Sequence, residues 1–440
     1  MSVLNKKEAR AIMEKVVQLS KADHLEVSLD GGVNGNIRYA RNTVTTSGIE
    51  ENLSLGVTAA FGKKTGTATI NELDDASLEK VVRRAEELAQ LSPENPEYME
   101  PLRPQQYEEQ PDGMFVQSTA DITPEFRAEI AKKSIEMTKA KGLVGAGFLE
   151  DGQNFNAIMN SKGLFAYENS TGANFTLTVR TKDATGSGWV TRDYNDITKF
   201  DIAEATEIAM EKAAGSAGAK AVEPGKYTVI LEPAAAVGLL SRMFWGMSAR
   251  SADEGRSYMS KKGGGTKVGE QMLDERINAY SDPFHPEVPA STWSGSGLPI
   301  KKMNWIKNGV VQHLRYGRYW AAENGVAPVP FPSNLIMEGG DASIEDMIKS
   351  TKRGILVTRL WYIRSVDPQT LLNTGLTRDG TFYIENGRIK HPVKNFRFNE
   401  SPIIMLNNLD MLGKPQRIDG NMIPPMKVRD FTFTSLSDAI

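Results

Sequence analysis

Residues 227–246 read YTVILEPAAAVGLLSRMFWG, an apolar run followed by Glu-Pro and a second apolar run. The first run predicts a buried strand, and the Ala- and Leu-rich run after the proline predicts a helix over 233–248. In many hydrolases a strand-to-helix junction of this kind carries catalytic side chains. Here the helix offers only Ser241 and Arg242 as polar groups before Gly246. These residues alone leave open whether the helix has lost an active site or never had one.

The composition is that of a soluble globular protein. Of the 440 residues 40% are hydrophobic and 24% are charged, which predicts two or three domains. Lys and Arg total 52 against 55 Asp and Glu, a balance that argues against a nucleic-acid partner. The absence of cysteine excludes disulfides, thiolate zinc ligands and cysteine nucleophiles. The first ten residues lack the apolar core of a signal peptide, and no apolar run reaches the roughly 20 residues that span a bilayer. We therefore expect a cytoplasmic protein without a membrane partner.

The first half of the chain alternates helices with strand-like runs. Four segments combine helical periodicity with good helix formers: 6–21, 75–91, 124–140 and 200–214. Strand-like runs separate the first helix from the second and the third from the fourth. This shared order predicts a repeated unit over residues 1–92 and 121–218, joined by a Pro-rich linker at 93–120. The two units form a predicted N-terminal α+β domain over residues 1–220.

Residues 221–440 are predicted to form a β-rich domain, with helices only at 233–248 and 342–351. Two Asn-Gly pairs, Asn308-Gly309 and Asn386-Gly387, lie between β-prone runs and predict hairpins with type I′ turns. The strand–helix alternation of a parallel α/β fold is missing. The expected fold class is therefore α+β, with large mixed or antiparallel sheets in the C-terminal domain.

Motifs for catalysis are scarce. The phosphate-binding and nucleophile-elbow templates are absent, and the four histidines are too far apart in sequence for H-E-x-x-H. The densest group of metal-ligand types is Asp282, His285 and Glu287 within SDPFHPE. Two prolines in this segment favour a rigid connector, and a metal site made by these three residues is the weaker alternative. The residues by themselves define no complete catalytic site.

Several stretches together resemble the TldD/PmbA family, the metallopeptidase-related proteins also called modulators of DNA gyrase. The order and spacing of the similar stretches hold across nearly the whole chain. The stretches in the N-terminal half are EENLSLGVTAAFGKKTGTATINELDDASLEKVVRRAEELAQ and IMNSKGLFAYENST. Those in the C-terminal half are GRSYMSKKGGGTKVGEQMLDERINAYSDP, PSNLIMEGGDASIEDMIKSTKRGILVTRL and RDGTFYIENGRIKHPVKNFRFNE. The resemblance implies a two-part α+β architecture, dimeric assembly and an association with peptide hydrolysis.

In the active branch of this family a strand leads into a helix bearing H-E-x-x-x-H, and a distant cysteine completes a zinc site. The resemblance places Ser241 and Gly246 at the two histidine positions and Arg242 at the position of the glutamate. A hydroxyl is a poor neutral zinc ligand, glycine has no side chain, and a permanently cationic arginine cannot act as a general base. Residues five apart lie about 140° apart around an ideal helix, so the active version needs a π-type distortion that this sequence gives no reason to form. We expect no cofactor in this chain and zinc only in a catalytic paralogue.

The resemblance implies a metal-free subunit of the PmbA/TldE type. Such a subunit pairs with an H-E-x-x-x-H-bearing paralogue and holds unfolded peptide, for example as an added strand on a sheet edge. On this interpretation the apolar helix is core or dimer interface, and Arg242 pairs with a nearby carboxylate. Two alternatives remain open: a homodimeric peptide-binding or regulatory protein without a catalytic partner, and a hydrolase that uses Asp282, His285 and Glu287.

Overall fold

The computed structural model describes residues 3–437. Residues 1–2 and 438–440, which the predicted domains include at their outer limits, lie outside the described residues. The helices in the described part are α1 (Lys6–Leu19), α2 (Asp75–Leu91), α3 (Gln117–Ala120), α4 (Pro124–Ala140), α5 (Ile202–Gly215), α6 (Pro233–Trp245), α7 (Ala249–Asp253), α8 (Arg318–Glu323), α9 (Ile344–Lys349) and α10 (Pro402–Asn407). A 3₁₀ turn covers Ile197–Lys199.

The strands belong to three sheets. The first six are β1 (His24–Ala40), β2 (Thr43–Phe61), β3 (Lys64–Ile70), β4 (Val144–Asn160), β5 (Phe165–Arg180) and β6 (Ser187–Tyr194). The next eight are β7 (Gly225–Leu231), β8 (Ala279–Ser281), β9 (Met303–Lys307), β10 (Val310–Val311), β11 (Ile336–Met337), β12 (Arg353–Val357), β13 (Leu360–Asp367) and β14 (Leu372–Thr377). The last seven are β15 (Thr381–Glu385), β16 (Arg388–Pro392), β17 (Phe396–Glu400), β18 (Leu409–Leu412), β19 (Gln416–Ile418), β20 (Asn421–Ile423) and β21 (Met426–Leu436).

The four predicted helices of the N-terminal half all form, and their starts follow from their capping residues. Asn5 and Glu8 make a capping box at α1, so two otherwise unpaired backbone N–H groups are satisfied. Asp74 accepts from the first turn of α2, and the Thr123 hydroxyl accepts from the N–H of Phe126 at 3.3 Å in α4. The helices α2 and α4 match their predicted limits, whereas α1 ends two residues early, at Leu19.

The N-terminal half forms one antiparallel sheet in the order β3-β2-β1-β4-β5-β6. The predicted units 1–92 and 121–218 contribute three strands each, and β1 of the first pairs with β4 of the second at the centre of the sheet. There Gly32 lies opposite Asn154, and Gly152 lies opposite Asn34. A Cβ at Gly32 would lie 2.0 Å from Asn154 Oδ1, and a Cβ at Gly152 would lie 2.1 Å from Asn34 Oδ1. Both strands thus need glycine for the same reason, and each carries the pattern G-x-N-x-N.

The two edges of this sheet are also alike. A Cβ at Gly66 of β3 would lie 2.2 Å from the backbone nitrogen of Ala89 in α2. A Cβ at Gly188 of β6 would lie 2.2 Å from the carbonyl oxygen of Ala209 in α5. The edge strands β3 and β6 therefore each lie in van der Waals contact with the helix that follows them, α2 and α5 respectively. The duplication itself, with its limits at 1–92 and 121–218, stays a prediction.

The C-terminal half contains two mixed sheets. The larger has the order β13-β14-β17-β21-β7-β12-β15-β16, with β18 pairing to β21, and the smaller has the order β10-β9-β8-β11-β20-β19. In the larger, β7 and β12 are parallel; in the smaller, β11 and β20 are parallel. Helix α6 contacts β7 and β13 of the larger sheet and β19 and β20 of the smaller. The predicted α+β class with large mixed sheets is confirmed.

Both Asn-Gly hairpins are confirmed, with positive φ at Asn308 (49°), Gly309 (73°), Asn386 (50°) and Gly387 (76°). The prediction of only two helices in this half is wrong, because α7, α8 and α10 also form. These three helices have five or six residues, fewer than two turns, and their sequences show no clear helical period. Among residues 3–437, none of the helices combines the length and the hydropathy that a membrane span requires.

Candidate functional site

Strand β7 and helix α6 meet at Glu232. The strand lies in the middle of the larger sheet, between β21 and β12, and three of its last four side chains are apolar and fully buried: Val229, Ile230 and Leu231. Glu232 is the N-cap residue, but its carboxylate binds Lys212 Nζ at 2.6 Å and makes no side-chain cap. Pro233 occupies the first helical turn, where the missing N–H costs nothing. The junction is therefore fixed by packing and by this ion pair.

The body of α6 is core. Eight of its side chains are buried, which agrees with the expectation that the apolar helix packs inside the fold: Pro233, Ala235, Ala236, Val237, Leu239, Leu240, Met243 and Phe244. The two polar residues Ser241 and Arg242 are partly buried, and Trp245 is 63% exposed. The helix is α-helical from its first residue to its last, without a π-type turn.

The three positions singled out by the resemblance line one cavity of about 710 Å³. We call it the arginine cleft; its lining includes Ser241, Arg242, Gly246, Arg256, Tyr258 and Arg315. No Asp, Glu or His side chain belongs to its lining in the described part of the chain. The structure therefore brings the three positions together in a cavity whose charged lining is entirely cationic.

Gly246 is the residue that follows α6. Its φ of −74° and ψ of −7° are ordinary for any residue, so backbone freedom does not explain the glycine. Space does: a Cβ here would lie 2.9 Å from Cε1 of Tyr258. The Tyr258 ring is buried, and its hydroxyl donates to the carbonyl of Met243 at 2.7 Å. The ring of Tyr258 thus blocks the direction in which a second histidine would project.

Arg242 points toward the edge strand β13. Its Nη2 donates to the carbonyl of Ile363 at 2.5 Å. That carbonyl is available because the pairing of β13 with β14 is interrupted between Trp361 and Arg364. The expectation of a carboxylate partner is wrong: the described residues give Arg242 no ion pair, and burial, followed by the charge of Arg364, lowers the pKa of its guanidinium.

Arg315 holds the other side of the arginine cleft. It donates through Nη2 to the carbonyl of Trp245, near the end of α6, and its guanidinium lies 4.5 Å from the ring centre of Phe331. Its Nε is buried and has no hydrogen-bond partner among the described residues. Burial lowers the pKa of this guanidinium. Arg256 is more exposed and binds Glu254, with Nε–Oε2 at 2.8 Å.

The alternative metal cluster lies on the loop after β8. Asp282 forms an ion pair with Lys302 at 3.0 Å, and Glu287 forms one with Lys199 at 3.2 Å. Nδ1 of His285 accepts from the backbone N–H of Glu287 at 3.3 Å, and burial lowers the pKa of the imidazole. Within residues 3–437 no three His, Cys, Asp or Glu side chains are placed to hold a metal ion. The loop geometry suits the connector interpretation.

Glu168 is a titratable residue that the sequence did not indicate as part of a site. Glu168 on β5 lies at the wall of a second cavity, of about 820 Å³, and accepts from the hydroxyl of Ser291 at 2.5 Å. Burial raises the pKa of its carboxyl group to about 7. Nothing near Glu168 in the sequence marks it as half-buried, because its partner Ser291 is far away along the chain.

The family assignment follows from three matches that span most of the chain. Residues 25–89 match domain 1 of the PmbA/TldA metallopeptidases, residues 117–219 match their central domain, and residues 224–435 match their C-terminal domain. These three matches define a metallopeptidase-type scaffold. The chain belongs to the PmbA/TldD family.

Similar proteins share the fold at low identity. A zinc metalloprotease TldD homolog from Saccharolobus solfataricus is 22% identical over 49% of this chain and 50% of its own length. A metalloprotease from Methanothermobacter thermautotrophicus is 22% identical over 61% of this chain and 62% of its own length. The chain thus spans less than two thirds of either relative. The solved structure of TldE from Thermococcus kodakarensis superposes with a TM-score of 0.86 at 20% identity, covering 96% of this chain and 100% of that one. A candidate modulator of DNA gyrase from Bacteroides thetaiotaomicron gives a TM-score of 0.86 at 21% identity, covering 98% and 99%.

Proposed function

We propose that this chain is a non-catalytic, metal-free subunit of a TldD/PmbA-type zinc metallopeptidase complex that degrades or processes unfolded peptides. The observation that carries the proposal is the arginine cleft. Its lining includes Ser241, Arg242 and Gly246, which the resemblance places at the zinc-helix positions, and its charged side chains are all cationic.

The residues present do not fit zinc. Zinc sites in proteins use thiolate, imidazole or carboxylate ligands, and the arginine cleft offers none of these. Arg242 and Arg315 bring fixed positive charges without a neutralising carboxylate in the cavity wall. Tyr258 fills the space beside Gly246 that a second ligand would need. We therefore derive no hydrolytic step from this site.

The catalytic zinc in this proposal is supplied by an H-E-x-x-x-H-bearing paralogue. This chain contributes a peptide-holding surface beside the arginine cleft. Strand β13 is an edge strand of the larger sheet and lies next to α6, and it exposes Trp361, Tyr362 and Val366. An edge strand with unpaired backbone groups is the usual acceptor for an extended peptide. We place the complex in the cytoplasm, without a nucleic-acid or membrane partner.

The test is to purify the chain alone and after co-expression with H-E-x-x-x-H paralogues from the same genome. Metal analysis of the chain alone should find no stoichiometric zinc, and the chain alone should cleave no peptide. The heteromer should contain zinc and cleave unfolded peptides. About one tightly bound zinc per chain in the isolated protein would refute the proposal.

The same purification tests the alternative of a homodimeric peptide-binding or regulatory protein. A stable homodimer that binds unfolded peptide and captures no paralogue would favour that alternative. As a further control, Glu287→Gln removes the pairing with Lys199 in the SDPFHPE loop. This substitution should leave the peptide cleavage of the heteromer unchanged.

A further inference from the structure

The arginine cleft carries positive charge that the fold does not neutralise. Among the described residues neither Arg242 nor Arg315 forms an ion pair; each donates to a backbone carbonyl. The third arginine of the lining, Arg256, pairs with Glu254, which also binds Arg250. Partly buried arginines in proteins are usually paired with anions, because burying an unpaired charge is unfavourable.

Donor groups also remain unused in this cavity. A guanidinium has five N–H donors in a planar fork that matches a carboxylate. Arg242 uses only Nη2 among the described residues, so its Nε and Nη1 keep donors for a ligand. Both guanidinium groups are fixed in place by their bonds to the carbonyls of Ile363 and Trp245. The donors are therefore positioned before any ligand arrives, which reduces the entropy lost on binding.

We propose that the arginine cleft is a carboxylate-binding site that anchors an acidic group of a peptide. Its volume of about 710 Å³ suits a group of a few residues. The apolar side chains of Trp245 and Leu371 line the same cavity and can contact the flanking part of the ligand. The carboxylate comes either from the peptide C-terminus or from an Asp or Glu side chain. The choice of a peptide rests on the proposed function, whereas the anion site rests on the arginines alone.

The experiment is calorimetric titration of the full chain with four short peptides of one apolar sequence. The first has a free C-terminal carboxylate and the second a C-terminal amide. The third and fourth are amidated and carry an internal Glu or an internal Gln. A carboxylate should raise the affinity over its neutral match by at least about tenfold, since hydrogen bonds between charged groups are the strong ones. The pair that shows this difference identifies the source of the carboxylate.

The variant Arg242→Gln should weaken binding of the preferred peptide by at least about tenfold, because it removes one charged donor from the cleft. Arg84→Gln is the matched control: Arg84 is exposed on α2, and its one ion pair within residues 3–437 is with Glu87 at 2.7 Å. It should bind like the unmodified chain. Thermal unfolding of both variants shows whether they are folded.

Equal affinity for charged and neutral peptides would overturn the inference, and so would unchanged binding by a folded Arg242→Gln variant. These outcomes differ from a failure of the subunit proposal. Carboxylate-dependent binding by a chain that holds its own zinc would refute the subunit role and keep the anion site. If the heteromer contains zinc but this chain binds charged and neutral peptides equally, the subunit proposal stands and the anion site is refuted.

Discussion

The substitution Gly246→Ala tests whether Tyr258 closes the second ligand position. The added Cβ would lie 2.9 Å from the Tyr258 ring and 3.4 Å from the carbonyl oxygens of Arg242 and Met243. The ring cannot move away easily, because it is buried and its hydroxyl is bonded to Met243. Forcing a methyl group into a packed site costs about 1–3 kcal/mol. The loss of glycine flexibility in the unfolded chain offsets about 0.4–1 kcal/mol. We expect a net destabilisation of about 0.5–2 kcal/mol.

The assay is urea unfolding of a double-mutant cycle with Tyr258→Leu. If the clash is with the ring, Gly246→Ala should cost less in the Tyr258→Leu background, with a coupling energy of at least about 0.5 kcal/mol. Gly48→Ala is the matched control, since Gly48 lies on β2 without a positive φ and its Cβ would meet nothing within 4 Å. It should leave stability within about 0.5 kcal/mol of the parent. A neutral Gly246→Ala, or additive effects in the cycle, would refute the steric explanation.

Two further predictions concern buried charge. Asp151→Asn should lower the free energy of unfolding in urea by about 3–5 kcal/mol, because it leaves the buried Arg127 without its carboxylate partner at 2.6 and 2.8 Å. The control Glu14→Gln breaks an exposed pair on α1 and should lower it by less than about 1 kcal/mol. An equal loss in both would contradict this. For Glu168 the pKa is raised from 4.5 to about 7, so its stabilising contribution is complete below pH 4.5 and is lost as the pH rises through about 7. Glu168→Gln should therefore flatten the fall in unfolding free energy between about pH 5 and about pH 8, by up to about 3 kcal/mol. An unchanged pH profile would show that Glu168 titrates normally.

The fold was accessible from the sequence where the signals are local. Capping residues such as Thr123 and the two Asn-Gly pairs determine nearby backbone geometry, and those elements formed as predicted. The repeated G-x-N-x-N pattern of Gly32 and Gly152 was also present in the sequence and was missed. Its meaning depends on the pairing of β1 with β4, which is a contact between distant residues and cannot be read from spacing.

The candidate site was accessible only in part. The resemblance supplied the positions of Ser241, Arg242 and Gly246, and the structure places all three on one cavity. Tyr258 and Arg315 complete the cavity. They lie outside α6 in the sequence, and no local sequence pattern shows that the fold brings them next to it. The error over Arg242 has a similar cause, since the carbonyl that binds it becomes available only through an irregularity in a remote strand pair.

One face of helix α6 packs into the core, and the other lines the arginine cleft. Its buried residues pack against both sheets of the C-terminal half, whereas Ser241 and Arg242 face the cavity and contribute little to the core. Evolution can therefore exchange the cavity-facing residues while the apolar ones keep the architecture intact. Substitutions on the cavity side can thus change what the cavity binds while the shape of the molecule stays the same.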